Sequence, residues 1–239
     1  MTGTARVALL VLAKAPEPGL VKTRLCPPLT SAQAADLAAA ALLDTLAAVR
    51  RVPGGRTVVA LAGRPGRAAR ARELAGALRH LPTLAQRGPD LGRRIAAAHR
   101  DTARLLPGRS VLQLGMDTPQ VEPDLLGEVV APLRRGRLDA VLGLANDGGW
   151  WALGLRDPRW AAAVADVPTS RADTGERTLR ALREAGLRVG LLPQLTDVDT
   201  IADAVAVAGM APTTRFAGAV AGLSNLSLEL AGPLQVRAC

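Results

Sequence analysis

The chain has 239 residues, 49% hydrophobic and only 2% aromatic, which suits one sizeable α/β domain with a buried core and excludes a disordered or fibrous chain. Its formal charge of +9 raises the question of a polyanionic partner. The arginines, however, are scattered through helical stretches such as residues 64–79 and 93–104, without a dense run or interleaved aromatic rings, so a solvated basic surface is expected and nucleic acid is not.

Cys26 and Cys239 are too few for a disulfide framework or a zinc site, and no secretory signal is evident, so a reducing cytoplasm is expected. The opening apolar run, residues 7–13, is far shorter than the roughly 20 residues a membrane span needs, and no later segment reaches that length uninterrupted, so no membrane partner is expected.

Residues 7–13 are continuously apolar, the pattern of a parallel strand buried on both faces. A loop with Pro16, Pro18 and Gly19 follows, and Ser31 is a candidate N-cap for a long helix over 32–49. A second strand is expected over 57–62, a second helix over 68–77, and a third helix over 92–106, entered through residues 88–92. Residues 110–115 form another buried strand that ends in Met116-Asp117-Thr118-Pro119, where an open α/β sheet places its ligands. A helix over 123–135 and a strand over 140–145 lead to Asn146-Asp147-Gly148-Gly149. A strand over 151–155, a helix over 174–185 and a strand over 188–192 come next, and residues 197–200 cap a helix over 201–207. This alternation predicts a mostly parallel sheet covered by helices on both faces. One domain is expected over residues 1–210. Residues 211–239 form a tail of unknown role, for which docking, an extra strand pair and partial disorder all stay open.

Only Lys14 and Lys22 among the 30 basic residues are lysines, so a compact mobile ammonium is used where arginine would otherwise serve. They sit in residues 13–25, a Pro- and Gly-shaped loop after a buried strand that also carries Thr23 and Arg24. Such a loop can wrap a di- or triphosphate with backbone N–H groups and neutralise its charge. It lacks the Walker A ending and the dinucleotide glycine pattern, which weakens the ATPase and dehydrogenase readings. Asp117, at a strand's end opposite this loop, is placed to hold Mg²⁺ or Mn²⁺; the competing role is to cap the following helix. In Asp147-Gly148-Gly149-Trp150-Trp151 the glycines let backbone approach a ligand, Asp147 can accept hydroxyl or metal bonds, and an indole offers a platform for a sugar or base; a turn followed by core tryptophans is the alternative. Residues 86–93 could contact a base or ribose at a helix N-terminus or be an ordinary helix entry. Asp197 and Asp199 face the same way on an extended stretch and could supply a second metal ligand, although capping of the last helix is favoured. His80 and His99 have no nucleophile partner, which disfavours covalent hydrolase chemistry.

Taken together, Lys14-x-Pro16-x-Pro18-Gly19-x-Val21-Lys22-Thr23-Arg24-Leu25, Gln86-x-Gly88-x-Asp90-Leu91-Gly92, Gly115-x-Asp117-x-Pro119, Asp147-Gly148-Gly149 and Asp197-x-Asp199-Thr200 resemble the CofC- and MobA-like transferases of the nucleotide-diphospho-sugar transferase superfamily, over residues 6–208. The resemblance implies a GT-A-like, Rossmann-like three-layer sandwich. By position, it implies that Ala13, Lys14, Gly19, Lys22, Thr23 and Arg24 hold the phosphates and that Gln86, Gly88, Leu91 and Gly92 approach the base. Asp117, with Asp199 as a second candidate, would bind Mg²⁺ or Mn²⁺, and Asp147, Gly148, Gly149, Trp150 and Trp151 would face the sugar or acceptor. Lys22, Asp117 and Asp147 are the candidates closest to the chemistry. The sequence departs from the family where Met116 replaces a small polar residue and where two tryptophans follow the glycines. The expected activity is metal-dependent transfer from a nucleotide sugar or nucleoside triphosphate to a small-molecule acceptor, with glycosyl transfer preferred and a homodimer allowed. Nucleotidyl transfer with release of pyrophosphate is the alternative, followed by a non-catalytic nucleotide-binding protein.

Overall fold

The computed structural model describes residues 6–230, with side chains through 223; Cys239 lies outside the described residues. Seven strands form one sheet in the order β3-β2-β1-β4-β6-β5-β7. β1 (Val7–Lys14) is paired in parallel with β2 (Gly55–Ala62) on one side and β4 (Ser110–Leu114) on the other. Its buried residues, Val7 to Val11, explain the unbroken apolar run: both faces are covered, so no position tolerates a polar side chain.

Helix α1 (Ser31–Arg50) packs beneath β1 and β2, with Leu42, Leu46 and Val49 in the main core beside Leu9 and Val59. By length and composition it is apolar enough to cross a membrane, but most of its surface is buried inside the domain. Its N-cap is Thr30 rather than Ser31: Thr30 and Gln33 cap each other reciprocally, which a residue inside the first turn cannot do.

α2 (Ala71–Leu78) starts three residues later than expected, because residues 65–67 form a separate 3₁₀ turn and Arg70 adopts left-handed backbone, where it pairs in two bonds with Asp36 of α1. The short edge strand β3 (Thr83–Ala85) was not expected; three residues are too few for a periodic signal. α3 (Leu91–Leu105) covers the other face of β1 and β4, and α4 (Pro123–Arg134) returns to the α1 face.

β5 (Ala140–Ala145) and β6 (Trp150–Leu155) form a hairpin, and β6 inserts antiparallel between β4 and β5. α5 (Thr174–Glu184) leads to β7 (Val189–Leu195), parallel to β5. α6 (Ile201–Met210) and α7 (Arg215–Leu230) close the α1 face. Phe216 is buried against Leu37 and Val207, and the α7 entry is fixed by Asp44 of α1, whose carboxylate accepts from the backbone N–H groups of Arg215 and Phe216. The fold is therefore an α/β sandwich with a mostly parallel sheet, and the chain reverses its direction of travel across the sheet between β1 and β4. Loops leaving the carboxyl ends of those two strands face one another across a crevice.

Candidate functional site

The loop after β1 is set by its own backbone. Ala15 N–H bonds to Ala62 O (2.7 Å) at the end of β2, Leu20 N–H to Glu17 O (3.0 Å), and Gly19, at φ +77°, makes the turn that a Cβ would strain. Glu17 is buried and accepts from the Arg64 N–H (2.8 Å), pinning the loop to the end of β2. Lys14 Nζ donates to Leu20 O (2.7 Å) and draws the loop closed. Lys22 has left-handed backbone (φ 48°), a conformation costly for a non-glycine residue that persists where the surroundings over-determine it.

What holds Lys22 is a group of carboxylates. Its ammonium lies 3.0 Å from Asp117, beyond the end of β4, and 3.6 Å from Asp199, beyond β7. Arg24 reaches Asp199 from the other side at 2.8 Å. Burial alone would lower the Lys22 pKa; Asp117, Asp199 and Asp197 outweigh it and raise it. Asp197 is pushed up to about 7, first by burial and then by repulsion from Asp117 and Asp147, which Lys22 only partly offsets. Asp197 and Asp199 do not cap α6; Thr200 does, in a reciprocal box with Asp203. That leaves both carboxylates at the crevice. Asp117 caps no helix either, since the N-cap of α4 is Glu122.

Beside this cluster lies a cavity of about 510 Å³, lined by Leu12, Ile95, Gln113, Asp117, Asp147 and Trp150 among others, a size that suits a small-molecule ligand. A smaller cavity of about 280 Å³ under the Lys14–Lys22 loop shares Arg24, Asp117 and Asp199 with it. Asp147 accepts from Gly149 N–H (2.8 Å), and Gly148, at φ +85°, lies so close to Ala172 O that no Cβ could stand between them. The segment 169–174, including Ser170 and Arg171, docks there and forms one wall of the larger cavity.

The structure brings together Lys14, Lys22, Thr23 and Arg24 around the smaller cavity and Asp117, Asp147, Gly149 and Trp150 around the larger one. The tryptophans divide. Both border the larger cavity, but Trp151 is buried beneath Gly143 with its indole N–H on Pro193 O (3.0 Å), whereas Trp150 is half-buried. Leu91 joins the same lining, while Gly92 packs against the backbone of residues 164–165, and Gly88 turns at φ +137°. Gln86 spends its amide N–H groups on Ala13 O (2.8 Å) and Ala60 O (2.9 Å), bridging the ends of β1 and β2. Met116 replaces a polar side chain with a thioether that accepts from the Lys14 N–H.

Sequence reasoning passed over the wall at 169–174, whose signal was the glycine pair at 148–149 that demands a close neighbour. It also passed over Gln113, whose signal was a polar residue inside an apolar strand. The donor set, all carboxylate oxygens, suits a hard cation such as Mg²⁺ or Mn²⁺, and the raised Asp197 marks a surplus of negative charge that such a cation would relieve. Asp117 and Asp199 are the pair that already shares one cation, the Lys22 ammonium; among the described residues no three ligating side chains converge into a ready cage.

The mostly parallel sheet with paired loops at its switch point is an α/β fold shared with structures of the nucleotide-diphospho-sugar transferase kind. The chain belongs to the family described as "Uncharacterized protein conserved in bacteria (DUF2064)", whose family model matches residues 45–171. It is similar to a crystal structure from Desulfovibrio desulfuricans G20 that carries the provisional name nucleotide-diphospho-sugar transferase, at 30% identity and a TM-score of 0.72, covering 84% of this chain and 85% of that one. Rv0371c from Mycobacterium tuberculosis H37Rv, in complex with manganese, shares the fold at 20% identity and a TM-score of 0.52, over 84% of this chain and 97% of that one. So does CMP:2-keto-3-deoxy-manno-octonic acid synthetase complexed with CTP, at 12% identity and a TM-score of 0.54, over 86% and 98%. No curated protein matches the sequence.

Proposed function

We propose that the protein is a divalent-metal-dependent transferase that takes a nucleotide sugar as donor and passes the sugar to a small-molecule acceptor, with CofC- and MobA-like nucleotidyl transfer as the alternative. The observation that carries this reading is the Lys22 ammonium held between Asp117 and Asp199 on the wall shared by two adjoining cavities. The name of the D. desulfuricans relative points the same way. Asp117 and Asp199 would hold Mg²⁺ or Mn²⁺, which when bound would neutralise charge on the phosphates. Lys14, Lys22 and Arg24 cradle the phosphates, and Lys22 stabilises the charge that grows on the departing diphosphate. Gly88 borders the base, Leu91 and Trp150 face the sugar in the larger cavity, and Asp147 orients an acceptor hydroxyl.

Nucleotidyl transfer is the second reading. It is favoured by the convergence of three cations on one loop, because a pyrophosphate leaving group carries more charge than a nucleoside diphosphate. Incubation with a panel of nucleotide sugars, and separately with nucleoside triphosphates plus sugar phosphates, decides between them. Metal-dependent release of nucleoside diphosphate from one nucleotide sugar is expected. Release of pyrophosphate alone would transfer the assignment to nucleotidyl transfer, and release of neither would overturn both.

A further inference from the structure

Gln113 is the one polar side chain of β4 that faces α3, and it is nearly fully buried. Its neighbours Leu10, Val111 and Ala98 form an apolar layer, where a polar group without partners is costly. Its side-chain oxygen lies 3.1 Å from His99 Nε2 on α3. Nδ1 of His99 is sealed off without a partner. An orphaned N–H is disfavoured more than an orphaned lone pair, so the imidazole proton sits on Nε2 and is donated to Gln113 Oε1. Burial keeps this ring neutral, its pKa lowered to about 4. The amide nitrogen of Gln113 is then left over. Among the described residues it makes no hydrogen bond, and unlike His99 Nδ1 it is not sealed, because Gln113 lines the 510 Å³ cavity.

The position of that residue says which part of a ligand meets it. The lysine loop encloses the smaller cavity, and Arg24, Asp117 and Asp199 form the wall common to both. Phosphates held at that wall send the group attached to them into the larger cavity, between Leu12, Ile95 and Trp150 and down to Gln113. An N–H donor among apolar walls selects an oxygen acceptor.

Resting on the transferase reading above, we propose that Gln113 is a specificity-determining residue whose side-chain amide donates a hydrogen bond to an oxygen of the sugar in the bound nucleotide sugar. A nucleotide sugar is the donor in glycosyl transfer and the product in nucleotidyl transfer, so it probes the site under either reaction. Calorimetric titrations compare UDP with UDP-glucose, GDP with GDP-mannose and CMP with a CMP-linked sugar acid, each with Mn²⁺, in the wild type, Gln113→Met and Gln113→Glu. Gln113→Met is near-isosteric. Gln113→Glu keeps the acceptor that His99 needs but removes the amide donor, so a purely structural role survives in it. In the wild type one nucleotide sugar is expected to bind tighter than its bare nucleotide. Both variants are expected to lose roughly tenfold of that difference, while affinity for the bare nucleotide stays within about twofold, since that part lies across the shared wall. A difference retained in Gln113→Glu, or absent from the wild type across the panel, overturns the proposal. Failure of the wild type to bind any bare nucleotide overturns the transferase reading itself, and this inference with it.

Discussion

Two acidic sites, a single carboxylate with its arginines and a cluster of four carboxylates, sit at opposite ends of the same sheet and differ in how their charge is balanced. At the amino ends of β5 and β7, Asp139 accepts from Arg188 through its backbone N–H (3.1 Å) and Nε (2.8 Å), and from the Arg156 guanidinium. The Arg188 bonds, the backbone N–H and the neighbouring positive charges outweigh the burial that would raise the carboxyl, and they hold it down at about 2. At the carboxyl ends, Asp117, Asp147, Asp197 and Asp199 face Lys22 and Arg24, and Asp197 is driven up to about 7. The first site has met its electrostatic needs within the chain and is structural. The second has not, and a surplus of carboxylates beside two cations is what a site for a cation and a phosphate requires.

The largest effect that separates the two sites is on turnover. Asp117→Ala is expected to reduce nucleoside diphosphate release by roughly 10²–10³-fold, with little loss of melting temperature because it relieves crowding. Asp139→Ala is expected to leave turnover near the wild-type rate and to lower the melting temperature by several degrees at pH 7. Equal effects on turnover would erase the distinction. Lys22→Ala is expected to fall between them: weaker nucleotide binding by roughly tenfold or more, and a lower melting temperature that added Mn²⁺ restores.

Stability against pH sharpens the comparison. A carboxyl whose folded pKa is depressed adds stability that is present above its unfolded value of 3.8 and is lost as pH falls toward about 2. The melting deficit of Asp139→Asn against the wild type should therefore shrink as pH drops from 4 to 2, a trend that differential scanning calorimetry can follow. His99, lowered from 6.5 to about 4, works in the same direction at higher pH: the unfolded chain takes up a proton that the folded chain refuses. Between pH 6.5 and 4 this costs up to about 3 kcal/mol, so chemical denaturation of His99→Gln should show a shallower loss over that window than the wild type.

The alternation of apolar runs and helical stretches made most of the fold legible, because strands buried on both faces leave an unbroken hydrophobic signal. The antiparallel insertion of β6 was not legible; a strand's direction depends on which neighbours it pairs with, and residues 150–155 read the same either way. The lysine loop and Asp117 stood out through residue scarcity and through their place at strand ends. Asp197 and Asp199 were read chiefly as caps, although the Thr200-x-x-Asp203 spacing already offered a better cap and so freed them. Gln113 was hidden because one polar residue does not break an apolar strand pattern, and only the tertiary placement of His99 gives it an orientation.

Electron paramagnetic resonance of Mn²⁺ tests the central claim most directly. Titration of the wild type, Asp117→Ala and Asp139→Ala with Mn²⁺, with and without a nucleoside diphosphate, follows the signal of the free ion. The account expects the wild type and Asp139→Ala to take up Mn²⁺ together with the nucleotide, and Asp117→Ala to take up almost none. Equal uptake by wild type and Asp117→Ala, or none by the wild type, would contradict it.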